Sequence, residues 1–160
     1  MNGPTNRIHR LLLVAFRLSG LLLASMPWWP SFFLQLGSPT LSAWSDEMWV
    51  GICHRLPDRT WRLGTERMPL CSRCLGLLEG LGLGVAIARP RFNLTKLRLV
   101  VSLASALLFL EITTQDLGWH RVFHPTRLLS AFLVAYPIGA AMSISIALFC
   151  LEPLNKTQRG

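Results

Sequence analysis

RLLSAFLVAYPIGAAMSISIALFC, residues 127–150, carries no charged side chain after its first position. As a helix, at about 1.5 Å per residue, a run of that length crosses a hydrocarbon layer of about 30 Å. Thr126 is placed to cap its start, and Pro137 is a kink that a membrane helix tolerates. Working outward, three more apolar blocks stand at about 8–26, 69–88 and 97–114. Four blocks of spanning length predict an all-α fold: a polytopic membrane helix bundle of about four transmembrane helices. At 160 residues the chain makes one membrane domain over 1–160, with a polar extracytoplasmic segment at 27–68.

Composition agrees. Hydrophobic residues make up 51% of the chain and charged ones only 15%, where a soluble domain carries about 25% charged. The net charge of +8 would raise the question of nucleic acid in a soluble protein. Here the basic residues flank apolar blocks, as topology signals and contacts to anionic lipid. There is no basic helix with interleaved aromatics, so nucleic acid is excluded as a partner and the lipid bilayer is the expected one.

The first block contains Arg17 and runs into Pro27-Trp28-Trp29-Pro30, an aromatic pair at interfacial depth. Arg7 and Arg10 ahead of it also fit a signal sequence. The region Leu23-Ala24-Ser25-Met26 lacks a small-x-small cleavage pattern, so a retained helix is expected. In the polar segment, Ser31–Leu36 is apolar enough for the interface. After a break at Ser38-Pro39, residues 42–52 read as a short amphipathic helix with Ser45 as N-cap. Pro69 suits the first turn of the second span. The short loop at 89–98 holds Arg89, Arg91, Lys96 and Arg98 with no acid, which places it inside by the positive-inside rule. Both termini are then cytoplasmic in a protein of the cytoplasmic membrane, and the polar segment is extracytoplasmic.

The chemistry gathers on that outer side. Cys53-His54 is followed by Cys71-x-x-Cys74. Two residues between thiols bring both sulfurs to one side of a turn, which suits a metal or a disulfide. With Cys53 and His54, a tetrahedral zinc site can be completed, and His120 and His124, at i and i+4, can contribute if helical. The rival reading is redox, since a helix start and Arg73 both favour thiolate. A static staple of loop to helix is the third.

On the second span Gly76, Gly80 and Gly84 lie about 140°, 180° and 220° around from Cys71 at 100° per residue. That stripe lets another helix approach on the face away from the cysteines. Ionisable groups within spans are costly and mark candidate sites: Glu79, and Glu111 with Gln115 one turn on, near Arg127 at the start of the fourth span. Either acid can also serve simply as an ion-pair partner of Arg73 or Arg127. Arg17 is expected to snorkel or pair with a carboxylate, and Cys150 to be a small buried hydrophobe.

At these residues the sequence resembles a family of small prokaryotic membrane proteins known only as a domain of unknown function. Its signature, Cys-His-x-x-Pro-x-Arg-Ser then Pro-x-Cys-x-Arg-Cys-x-Gly, stands here as Cys53-His54-Arg55-Leu56-Pro57-Asp58-Arg59-Thr60 and Pro69-Leu70-Cys71-Ser72-Arg73-Cys74-Leu75-Gly76. Thr60 replaces the Ser. A second block matches at Glu111, Gln115, Gly118 and Arg127, with Ser130-Ala131 in place of Thr-Gly. The resemblance covers about 48–140 and implies a fold type and a site, not an activity.

Three functions remain open from the residues. One is a membrane metalloprotein with zinc on the Cys/His set, where Glu79 or Glu111 handles protons and Arg59, Arg73 and Arg127 suit an anionic lipid-like substrate. Another is a thiol–disulfide oxidoreductase at Cys71 and Cys74, with quinone as partner. The last is a non-catalytic scaffold or transporter subunit. Oligomeric state is not legible.

Overall fold

A computed structural model describes residues 4–64, 66–88, 94–119 and 121–156, with side chains for 8–64, 66–88, 95–119 and 121–149. His120 and the arginines at 89 and 91 lie outside the described residues, and so does the side chain of Cys150. The chain is mostly helical. In order come α1 (Pro4–Ser25), α2 (Trp29–Gln35), α3 (Pro39–Glu47), a hairpin of β1 (Thr60–Leu63) and β2 (Glu66–Cys71), then α4 (Ser72–Ile87), α5 (Leu94–Asp116) and α6 (His124–Lys156).

Among the described residues three stretches are long and apolar enough to cross a membrane: Ile8–Gln35, Thr95–Asp116 and His124–Phe149. In the first, a 3-10 turn at Met26–Trp28 joins α1 to α2, so the apolar run continues past the proline pair that bounds it in the sequence. The outward faces of these helices are apolar, as at Leu11, Leu18, Leu103 and Phe109. Such extensive exposed apolar surface suits contact with lipid and not water.

The second apolar block differs from its expected form. Its helix starts at Ser72, and Pro69 lies in β2. The hairpin pairs Thr60 with Cys71 and Arg62 with Arg67, with a register shift between Thr60 and Arg62. Residues 68–70 therefore oppose Trp61 alone. Pro69 has no N–H to give the ladder, and an irregularity is where a strand accepts one. Met68 and Leu70 are buried there against Trp49 and Leu75, and that packing overrides the helix-start preference of the proline. At 16 residues, α4 rises about 24 Å.

α4 is the inner helix. Arg17 of α1 donates to the Ala88 carbonyl at 3.1 Å, and Gly20 lies against Gly82, so α1 runs antiparallel to α4. Arg17 thus finds a backbone carbonyl left without a partner past the helix end and not a carboxylate. On α4's other side, a Cβ on Gly76, Gly80 or Gly84 would come within 2.2, 2.7 or 2.2 Å of the carbonyl oxygens of Leu128, Phe132 and Tyr136. Only glycine allows that approach, and α6 lies parallel to α4 along the expected stripe. α5 runs antiparallel to both. Leu97 packs with Ala88, Ala140 and Ile144 at one end, and Glu111 meets Arg73 and Arg127 at the other.

Two helix starts move. The helix expected over 42–52 is α3, Pro39–Glu47, because Pro39 opens it in the first turn. Ser45 is then interior and buried, its hydroxyl donating to the Ser42 carbonyl at 2.9 Å. Likewise α6 opens at His124-Pro125, and the Thr126 hydroxyl turns back to the Phe123 carbonyl at 2.9 Å instead of capping.

Candidate functional site

Three short segments meet at the hairpin end of the bundle. Cys53 follows α3 in a loop tied by a bridge between Val50 and Cys53. The turn puts Arg55 at φ 50, a left-handed conformation that a non-glycine residue rarely adopts. An ion pair from Arg55 to Asp46 of α3 holds it there. Cys71 ends β2 and stands at the N-cap position of α4, and Cys74 falls in α4's first turn.

The Sγ atoms of Cys53, Cys71 and Cys74 all lie within 4.8 Å of one another, and none is in a disulfide. The Cys53 sulfur also accepts the backbone N–H of Cys71 at 3.3 Å. Sulfurs on one tetrahedral zinc stand about 3.8 Å apart, from a Zn–S bond of about 2.3 Å. Lying within 4.8 Å of one another, the three sulfurs are on that scale. Three thiolates are also the soft donors that such a metal prefers. The Cys71 thiol is lowered from 9.0 to about 5, chiefly by a hydrogen bond from the Cys74 thiol, with burial opposing. The cluster thus favours the thiolate at Cys71.

A cavity of about 230 Å³ opens onto the three sulfurs, and His54 and Arg59 line it as well. His54 is exposed. His124 is held elsewhere: its Nδ1 is 2.9 Å from the hydroxyl of fully buried Ser72, and its ring stacks on Trp61. Ser72 donates to the Arg59 carbonyl at 3.0 Å, so its oxygen accepts from His124 Nδ1–H. This one hydroxyl ties the hairpin, α4 and α6 together beneath the cysteines.

The charged groups sit beside that tie. Arg73 donates to Glu111 Oε2 through Nε and Nη2 at 3.2 and 2.7 Å, and to Gln115 Oε1 at 3.1 Å. Arg127 is 2% exposed, with its Nε 3.8 Å from Glu111 Oε1 and no hydrogen-bond partner. Arg59, Arg73 and Cys71 all lie within charge–charge range of Arg127. Glu79 is apart from this group: the Trp28 indole donates to it at 2.7 Å.

The structure therefore brings together Cys53, Cys71 and Cys74, with His54 and Arg59 in the same cavity wall. It joins Arg73, Glu111, Gln115 and Arg127 alongside. It separates His124 and Glu79 from the sulfurs. Ser72 and Trp61 were not singled out from sequence, and Trp28 was read only as half of an interfacial aromatic pair. Ser72 had a signal in lying between the two motif cysteines, whereas Trp61 had none.

The chain belongs to the family described as predicted membrane protein (DUF2085), whose model matches residues 53–143. That span opens on Cys53 and includes the three cysteines, His54, Arg59, Ser72, Arg73, Glu111, Gln115, His124 and Arg127. The uncharacterized protein MJ1492 of Methanocaldococcus jannaschii is 26% identical over 93 residues. The match covers 54% of this chain and 58% of that protein. No solved structure matches.

Proposed function

We propose that this protein is a single membrane domain of four spans whose extracytoplasmic end holds a soft metal ion, zinc by donor chemistry, on Cys53, Cys71 and Cys74. The observation that carries the reading is the meeting of three sulfurs from segments 18 residues apart in sequence within 4.8 Å of one another. Three protein ligands with a cavity above them is the pattern of a reactive site, since structural zinc sites close with four. His54 or a substrate oxygen would take the fourth position, and zinc there would supply Lewis-acid activation. Arg59, Arg73 and Arg127 favour an anionic lipid-like substrate, with Glu111 handling protons; Glu79, held by Trp28, is too far from the cluster for that role.

Four spans follow if α4, sheathed by α1 and α6, crosses with them. The alternating helix directions, and the basic residues of 89–98, would then put both termini in the cytoplasm. Reporter fusions at residue 92 and in the hairpin at residue 65 should report opposite sides of the cytoplasmic membrane.

The lowered Cys71 thiol favours a second reading, a thiol–disulfide oxidoreductase. In it, Cys71 and Cys74 would give two electrons and two protons to a quinone, leaving a disulfide and a quinol. Elemental analysis of the purified protein with thiol counting separates the two. One zinc per chain, the three motif thiols shielded from maleimide, and loss of both features in Cys71→Ser are expected. A metal-free protein whose thiols are oxidised by quinone would overturn the metal reading in favour of the redox one. If neither metal nor quinone oxidation is found and Cys71→Ser only lowers stability, the cysteines are a staple.

A further inference from the structure

We propose that the arginines beside the cysteines form a receptor for a dianionic phosphate monoester, presented either as free phosphate or at the head of a lipid. This deepens the reading above by naming a substrate class, and it rests on the arginine cluster whether or not metal is bound. Three features of the structure support it.

The first is charge. Arg59 and Arg73 lie within charge–charge range of Arg127, where Glu111 is the carboxylate that pairs with Arg73 and Arg127 and Cys71 is the other group that can carry negative charge. Arg127 is almost wholly buried, and an uncompensated buried cation is expensive. Three guanidiniums against Glu111 leave an excess of two positive charges, or one when Cys71 is a thiolate, and a phosphate monoester near neutral pH carries about −1.5 to −2.

The second is unmet hydrogen bonding. The buried donors Arg127 Nε and Gln115 Nε2 have no partner. A small rotation would let Arg127 reach Glu111 Oε1, also unpartnered, but Gln115 Nε2 and the excess charge would remain. Guanidinium groups in this number suit a tetrahedral oxyanion, which several can grip at once.

The third is placement. Arg73 lies in the first turn of α4 and Arg127 in that of α6, and neither turn contains an acid. Helix N-termini already carry partial positive charge, so cations there are disfavoured where acids would be welcome. Two helix starts, each bearing an arginine, are brought together. That arrangement becomes favourable when an anion lies between them. Arg59, in the wall of the cavity above the sulfurs, gives the entry.

The test uses the purified full chain in phosphatidylcholine nanodiscs, titrated with inorganic phosphate. In a second arm, phosphatidic acid replaces part of the lipid. Saturable binding, read by tryptophan fluorescence or thermal shift, is expected in at least one arm. Inorganic phosphate binding identifies a free ligand, and a response to phosphatidic acid alone identifies a headgroup. Arg127→Gln should weaken binding about tenfold or more, the loss of one charge-assisted bond. Arg59→Gln, at an exposed residue, should do the same. Arg62→Gln, an exposed arginine on β1, should leave binding intact. The Cys71→Ser, Cys74→Ser double variant should keep phosphate binding while losing metal, which separates this proposal from the metal reading. No saturable binding in either arm overturns the proposal. So does binding that Arg59→Gln leaves unchanged, or binding that the cysteine variant abolishes.

Discussion

Replacing Glu111 with Gln should separate the stability of the charged cluster from its capacity to bind an anion, because the two effects have opposite signs. Glu111 takes both short bonds from Arg73 on one oxygen, and its other oxygen is the nearest anionic atom to Arg127. Gln keeps the shape and one acceptor but removes the charge. Breaking a buried pair from one side costs about 3–5 kcal/mol. The Arg73 side chain is 19% exposed and keeps an amide acceptor, so a loss of about 2–3 kcal/mol is expected. For a chain of this size that is a fall of about 5–10 °C in Tm. Yet the same change removes the one carboxylate that would repel an incoming phosphate. At about 6 Å and an effective dielectric of about 20, that repulsion is worth over 2 kcal/mol, so phosphate affinity should rise about tenfold or more. The assay is thermal unfolding in nanodiscs with and without phosphate, beside direct titration. A Tm change under about 2 °C, together with phosphate affinity that is unchanged or weaker, would refute the argument.

Two further outcomes follow from the packing and the thiols. Gly84→Leu should force α4 and α6 apart, since even a Cβ falls 2.2 Å from the Tyr136 carbonyl oxygen; a stability loss of at least about 1–3 kcal/mol is expected by thermal unfolding. In metal-free protein, alkylation of Cys71 by iodoacetamide should follow its thiolate, staying fast as pH falls and dropping only near pH 5. A thiol at an ordinary value would drop near 8.5. Cys74→Ala should move that midpoint upward, because the Cys74 hydrogen bond is its largest cause.

The membrane class was legible because block length and the absence of charge are properties of the chain alone. The glycine stripe was legible too, since 100° per residue puts Gly76, Gly80 and Gly84 on one face whatever the neighbour is, and α6 now lies on that face. What stayed hidden depends on partners distant in sequence. Pro69 favours a helix start locally, and only the strand from Thr60 to Leu63 makes it part of a hairpin. His124 has the chemistry of a ligand, but Ser72 and Trp61, 52 and 63 positions away, claim its ring. Cys53 is the converse case: donor chemistry alone, with no spacing rule, groups it with the C-x-x-C pair in the sequence, and the fold brings its sulfur within 4.8 Å of theirs.

The glycines and the charged site are parts of one design. Gly76 lies one turn below Arg73, and its contact is the carbonyl of Leu128, the residue after Arg127. One of the close approaches of α4 to α6 is therefore set next to the two arginines. With ordinary side chains at the seam, the helix axes would stand 8–10 Å apart, and one carboxylate on α5 could not serve both guanidiniums. Close packing costs nothing in lipid, where small residues are the means of helix association. It does force like charges together at two helix starts. The same contact that steadies the bundle thus creates the positive potential at its hairpin end, which Glu111 offsets only in part.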